Sequence, residues 1–384
     1  MNLNLNAAVT RLARAKRISD AIAVLKGLTK KTESAKVQDA NDPKPASILN
    51  GGIAGLGGAI PPLAVPEAMR GLIERFGTLT PTPELRGLRG RARRDARPFV
   101  PDGATFEEHI FASEAGSRSY KLYIPSSYRG KSLPLIVMLH GCTQSPDDFA
   151  IGTQMNELAE EEGFLVAYPR QPVSANPSKC WNWFNAGDQS RDRGEPFLIA
   201  GLTRKIMGDA AVDSARVYAA GLSAGGAAAA IMGSAYPDIY AAIGVHSGLA
   251  CGAAKDLPSA LNAMRQGGAS LKNGASRPLP TIVFHGDSDN TVNPINSDQV
   301  IAQSKAGAEF RAKIVQGQSK GGIKYTRSIQ SDQSGRSVLE QWTLHGAGHA
   351  WSGGNPAGSF TDPRGPDASR EMLRFFREHK GTSA

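Results

Sequence analysis

The chain has 384 residues, 40% of them hydrophobic and 21% charged, and 44 Lys+Arg against 35 Asp+Glu give it a net charge of +9. That balance suits a soluble globular protein with a sizeable core and excludes a collagenous or wholly disordered chain. Residues 1–100 hold 17 Lys+Arg and 8 Asp+Glu, whereas residues 101–384 hold 27 of each, so the positive charge belongs to the N-terminal quarter. Three cysteines are too few for a disulfide scaffold, and no Cys/His cluster has zinc spacing, so no metal is expected. No run of about 18 apolar residues occurs, so no membrane span is expected. Arg11, Arg14, Lys16 and Arg17 interrupt the stretch where a secretory signal needs an apolar run, and a cytoplasmic protein is the expectation.

Residues 1–30 form the first expected segment, a basic amphipathic helix in which Val9, Leu12, Ile18, Ile22, Leu25 and Leu28 recur mostly every third or fourth residue. Ser19 followed by Asp20 offers a second helix start. Such an element either packs on its own protein or docks on a polymer granule or an anionic surface. Residues 31–104 lose periodicity. A Gly-rich run from Ile48 to Gly58, then Pro61, Pro62, Pro66, Pro81 and Pro83, predicts a largely disordered linker. The arginine run between Arg86 and Arg97 has no interleaved aromatics and no nucleic-acid module around it, so no nucleic-acid partner is expected.

From residue 105 to 384 the texture is that of one catalytic domain. Short apolar, β-rich runs at 120–124, 133–139, 164–168, 216–219, 242–246, 281–284 and 338–344 alternate with helical stretches at 145–162, 194–207, 226–235, 297–303 and 368–379. This alternation predicts an α/β fold, a mostly parallel central sheet covered by helices on both faces.

The sharpest local signal is Gly221-Leu222-Ser223-Ala224-Gly225-Gly226, placed between a predicted strand and a predicted helix. That is the setting of a nucleophile elbow, where small neighbours let a strained serine sit at the tip and the helix start faces the reacting oxygen. A serine hydroxyl needs a base, and among the seven histidines His349 stands out on a small-residue loop just past the last predicted strand. His345 is the competitor, expected to end the strand as a packed or capping residue. The orienting acid should lie between the serine and the histidine, where Phe284-His285-Gly286-Asp287-Ser288-Asp289 ends a buried strand. Both aspartates qualify. The turn at His285-Gly286 favours Asp289, leaving Asp287 to bond within the turn. A second oxyanion donor is expected from the backbone of Cys142, because a buried strand ends in His140-Gly141-Cys142. The Cys142 side chain itself is expected to be a small buried hydrophobe.

Taken in order, His140-Gly141-Cys142-Thr143-Gln144, Cys180-Trp181-Asn182-Trp183-Phe184, Gly221 to Gly226, His285 to Asp289 and Gly348-His349-Ala350-Trp351-Ser352-Gly353-Gly354 resemble the polyhydroxybutyrate depolymerase family of esterases, relatives of feruloyl and acetylxylan esterases. The resemblance covers residues 105–380. It implies an α/β-hydrolase, a Ser223-His349-Asp289 triad, oxyanion amides at Cys142 and Ala224, an ester substrate and no cofactor. Trp351, two residues past His349, is expected to line the acyl pocket, and Trp181 and Trp183, if on a strand, to form one groove wall. Cys180 and Cys251 flank segments near the active face and are the candidate disulfide pair, a bond better suited to export than to the cytosol. Polyester hydrolysis is the first expectation and feruloyl or acetylxylan hydrolysis the second. A surface-binding protein with accessory hydrolysis is the reading from another class.

Overall fold

The computed structural model describes residues 96–268 and 277–381. The expected helix at 1–30 and most of the expected linker at 31–104 lie outside the described residues. The described end of that linker is held by the domain, because the Phe99 carbonyl accepts a hydrogen bond from buried Asn156.

The strands among the described residues are β1 (Thr105–Ser113), β2 (Gly116–Ile124), β3 (Leu133–Leu139), β4 (Leu165–Pro169), β5 (Val212–Leu222), β6 (Ala242–His246), β7 (Thr281–Gly286), β8 (Arg311–Gln318), β9 (Lys324–Ser331) and β10 (Ser337–Leu344), with a short pair β11 (Trp351–Ser352) and β12 (Thr361–Asp362). The helices are α1 (Pro146–Thr153), α2 (Met155–Glu162), α3 (Gly194–Asp209), α4 (Ala224–Ala235), α5 (Leu257–Gln266), α6 (Ile295–Ser304) and α7 (Ala368–Arg377). The first ten strands join in one sheet in the order β1-β2-β4-β3-β5-β6-β7-β10-β9-β8. From β4 to β10 neighbouring strands run parallel, and antiparallel strands close both edges.

The middle strands are mostly apolar where both faces are covered. In β3, Leu135, Val137 and Leu139 point to one core, shared with Ile199 and Leu202 of α3, Ala227 of α4, Ala260 of α5 and Val300 of α6. Ile136 and Met138 point to the other, shared with Phe149 of α1, Leu158 of α2 and Phe376 of α7. Each fully buried side chain of this size contributes roughly 1.5–3 kcal/mol, so the two layers carry the stability of the domain.

Register then decides where chemistry can occur. Leu139 of β3 lies beside Gly221 of β5, Leu222 beside His246 of β6, His246 beside Phe284 of β7, and Gly286 beside Leu344 of β10. The C-terminal ends of five strands therefore share one edge, the position at which open parallel sheets place ligands.

Local differences from the expected elements have local causes. The helix expected over 145–162 is split at Gln154, whose backbone is left-handed with φ 54°. Ser145 caps the first half by accepting from the Asp148 N–H. Strands β1, β8 and β9 and helix α5 were not expected. The outer strand β8 is exposed along most of its length, so it lacks the apolar alternation that marks a covered strand.

Candidate active site

Ser223 sits between β5 and α4 with φ 58° and ψ −120°, a strained conformation for a residue with a side chain. Its N–H donates to the His246 carbonyl at 2.9 Å and its carbonyl accepts from Ala227 N–H at 3.0 Å. The flanking glycines are required by space. A methyl on Gly225 would overlap the Leu139 carbonyl, and one on Gly221 would overlap the Gly225 backbone and Leu139 O. Only two bare backbones let the strand turn into the helix this tightly, which is why the serine is flanked by glycines. As the first residue of α4, Ala224 has no intrahelical partner for its N–H, and that donor lies at the positive end of the helix.

Asp289 lies three residues past β7, and its Oδ2 is 2.7 Å from His349 Nδ1. Both side chains are buried. Asp289 Oδ1 accepts the Thr291 and Val292 N–H groups at 2.8 and 2.9 Å, so both carboxylate oxygens are occupied. Burial by itself would raise the Asp289 carboxyl, but His349 and the hydrogen bonds from His285 and His349 outweigh it and hold the group well below the usual carboxylate range. The other aspartate of the motif, Asp287, pairs with His345 Nδ1 at 2.9 Å and accepts the Gly346 N–H. His345 is thus neither packed nor a cap. It belongs to an exposed second Asp–His pair that includes neither Ser223 nor Asp289.

Gly141 N–H donates to Gln144 Oε1 at 2.9 Å and Thr143 N–H to the Ser178 carbonyl at 2.7 Å, so the loop is fixed on both sides of Cys142. The expected cysteine pairing is corrected here. Cys142 is bonded to Cys180, and Cys251 is a free thiol. Cys251 packs instead against Gln303, which bonds both its N–H and its carbonyl. Cys142 is therefore a covalent anchor as well as a buried side chain, tying the loop after β3 to the segment that carries Trp181 and Trp183. The same segment is tied again where Trp181 Nε1 donates to the His140 carbonyl at 3.0 Å. Behind it, buried Glu195 accepts from Asn182 N–H, Asn182 Nδ2 and Gln171 Nε2, and pairs with Arg118.

Ser223, Ala224, Cys142 and Cys180 border a pocket whose remaining walls are Trp183, Phe184, Leu249, Val292 and the α5 residues Leu257, Ala260, Leu261 and Met264. No charged side chain lines it. Its volume is about 30 Å³, and since one water needs roughly 10–15 Å³ the enclosed part takes about two such groups. A larger cavity of about 130 Å³ between α4 and α6, lined by Gly233, Leu279, Val300 and Gln303, includes none of Ser223, Asp289 and His349. The site is therefore assigned to the smaller pocket.

Of the three tryptophans expected to bind substrate, Trp183 alone borders that pocket. Trp181 and Trp183 lie on a loop, where alternate residues need not share a face, and Trp181 is buried under the loop after β3. Trp351 is also core. It stacks on His246, meets Phe149 edge-on, and donates from Nε1 to Ser369 Oγ.

His246 was not singled out in the sequence. It is buried, and burial, followed by the nearness of His285 and His349, pushes it down to about 3. Its carbonyl holds the Ser223 N–H and its Nε2 accepts the Ser352 N–H at 3.0 Å, so it links the serine turn to the His349 loop. Its place as the last residue of a strand beside β5 was the available signal. The α5 wall gave none, because its pocket side shows only as a few apolar residues in a polar stretch. Among the described residues no group of three His, Cys, Asp or Glu side chains could hold a metal ion, and no helix is long and apolar enough to cross a membrane.

A doubly covered parallel sheet with a strained serine elbow and a buried Asp–His pair on one edge is the α/β-hydrolase arrangement. Residues 118–312 match the model of the family described as Esterase PHB depolymerase, and the chain belongs to that family of carboxylic ester hydrolases. It is 30% identical over 256 residues to poly(3-hydroxyalkanoate) depolymerase C of Paucimonas lemoignei, covering 62% of this chain and 60% of that one. It is 28% identical over 248 residues to feruloyl esterase B of Thermothelomyces thermophilus, covering 59% of this chain and 82% of that one. The chain thus spans less than two thirds of the depolymerase. Among solved structures, an acetyl xylan esterase from Aspergillus awamori superposes with a TM-score of 0.55 at 19% identity, covering 71% of this chain and 99% of that one, a likeness of fold.

Proposed function

We propose that the chain is a serine esterase acting on short-chain carboxylic esters through an acyl-enzyme, with poly(3-hydroxybutyrate) or its oligomers as the favoured substrate. The observation that carries the reading is the buried Asp289–His349 contact of 2.7 Å on the same sheet edge as the strained Ser223. In this mechanism His349 carries its proton on Nδ1, held by Asp289, and takes the Ser223 proton on Nε2 as Oγ bonds to the ester carbon. The carbonyl oxygen becomes negative and rests on the Cys142 and Ala224 amides, where losing one donor typically costs about 10²–10³ in kcat. The C–O bond to the alcohol breaks as Nε2 returns the proton to the leaving oxygen. Water, deprotonated by the same nitrogen, then releases the acid and restores Ser223.

Two features support a short, neutral acyl group: the uncharged pocket walls and the small enclosed volume. A feruloyl substrate is the second reading, favoured by the Trp183–Phe184 pair, whose rings meet edge-on at 5.7 Å and offer an aromatic acid a face to stack on. The Cys142–Cys180 bond supports an oxidising compartment rather than the cytoplasm. For residues 1–100 the excess of positive charge supports contact with a polymer granule or anionic surface. Hydrolysis of poly(3-hydroxybutyrate) oligomers, a feruloyl ester and acetylated xylan, assayed side by side with Ser223→Ala as control, tests the choice. Highest kcat/KM on the hydroxybutyrate oligomers is expected. Turnover confined to the feruloyl ester or xylan would replace that substrate while leaving the mechanism standing.

A further inference from the structure

His285 occupies a buried position in β7, following Ile282, Val283 and Phe284, where an apolar side chain would be the ordinary choice. Its Nδ1 is buried without a hydrogen-bond partner among the described residues. Such an orphan costs free energy that a leucine would avoid. The other nitrogen is used. Nε2 lies 2.8 Å from the Val292 carbonyl and 3.4 Å from Asp289 Oδ2. A carbonyl only accepts, so the neutral ring carries its proton on Nε2. Val292 in turn donates its own N–H to Asp289 Oδ1 at 2.9 Å.

We infer that His285 is a positioning residue for the reaction, its Nε2–H fixing the Asp289–Val292 turn that aims Oδ2 at His349. The inference rests on the triad reading above. The contacts close a ring in which Val292 N–H holds Oδ1, His285 Nε2–H holds the Val292 carbonyl, and the same N–H edge faces Oδ2. Without the clamp Val292 is less firmly placed, and with it the N–H that it presents to Oδ1. A displacement of even about 1 Å at a reacting group is enough to lower rate strongly. His246, the other buried histidine of this cluster, cannot substitute, because its Nε2 accepts Ser352 N–H and its Nδ1 faces Ser247 Oγ. Val292 also borders the pocket beside Ser223, so one residue orients the acid and steadies a pocket wall.

Three substitutions in the full-length protein separate positioning from packing. His285→Leu fills the space without a donor, His285→Gln puts an amide N–H where Nε2 stands, and His285→Asn puts one where the orphan Nδ1 stands. On p-nitrophenyl butyrate the leucine and asparagine variants are expected to lose about tenfold in kcat with KM within about twofold, and the glutamine variant to stay within about threefold in kcat. The far-downfield proton resonance of the His349–Asp289 hydrogen bond should persist with glutamine and vanish with leucine. Wild-type kcat in folded His285→Leu overturns the inference, as does equal loss in all three variants with the resonance intact. Asp289→Asn, measured beside them, isolates the underlying reading. If it keeps wild-type kcat the triad fails, whereas an inactive Asp289→Asn with a fully active His285→Leu removes the clamp alone.

Discussion

At the scale of single residues, the site depends on a few positions where side-chain volume is set by backbone. Ser223 is reached by a turn in which Gly221 and Gly225 both lie against carbonyl groups. Gly225→Ala must therefore move the Leu139 backbone, a destabilisation of about 1–3 kcal/mol, and move the loop after β3 with it. Gly208 of α3 has open space around it, and Gly208→Ala should be neutral or stabilise by roughly 0.5 kcal/mol. Urea midpoints and p-nitrophenyl butyrate rates of the two variants check the contrast; equal behaviour would mean that the serine turn tolerates a methyl. The serine, the histidine and the preferred aspartate were legible because each stands in a motif whose neighbours have geometric reasons to be small or polar. The partner of Cys142 was not, because 38 residues separate it from Cys180 and only the packed loops bring them together. His285 was hidden for a related reason. A histidine within a mostly apolar strand gives no sign of what lies across from it.

At the scale of elements, α5 is the part of the site that the sequence conceals. Asp256 caps it and Leu257, Ala260, Leu261 and Met264 face the pocket at the three- and four-residue spacing of one helical side. Ala260 and Ala263 are its buried residues, and its apolar side borders the pocket beside Ser223. Met264→Ala should lengthen the pocket and shift p-nitrophenyl ester preference from butyrate towards hexanoate and octanoate, with a change of about tenfold in the kcat/KM ratio, as a few methylenes in an apolar pocket allow. An unchanged preference would place the acyl chain elsewhere. The strands of the sheet centre were legible because they are largely buried on both faces and mostly apolar. The β8–β9 hairpin was not, because an exposed edge strand obeys no such rule. Trp351 was expected in the pocket from its place two residues past His349, and Trp181 from its alternation with Trp183, yet both indoles are buried, Trp351 on the short strand β11 and Trp181 on a loop.

At the scale of the whole molecule, three buried histidines make stability depend on pH. Burial first of all pushes His140 down to about 4, His246 to about 3 and His379 to about 4. In the unfolded chain these groups take up protons below about pH 6.5, whereas in the folded chain they resist them, so stability falls as pH drops from there towards 4. Asp289 acts in the same sense in a lower window: its depressed value lets the unfolded chain take up the proton first, so its contribution is lost as the pH falls through and below the usual carboxylate range. Denaturation in urea at pH 7.5 and pH 5.0 should show a loss on the order of 2 kcal/mol for each histidine at the lower pH. An unchanged midpoint would contradict the burial of these rings as neutral groups. The charge of the chain bears on none of this. Its excess sits in the first 100 residues, and no charged side chain lines the pocket beside Ser223.

The central claim is that Ser223 is the nucleophile of an ester hydrolase, and hydrolysis of p-nitrophenyl butyrate by Ser223→Ala tests it most directly. With the circular dichroism spectrum and melting temperature of the wild type retained, the variant is expected to lose kcat by at least about 10³-fold. Turnover near the wild-type rate in that folded variant would contradict the account.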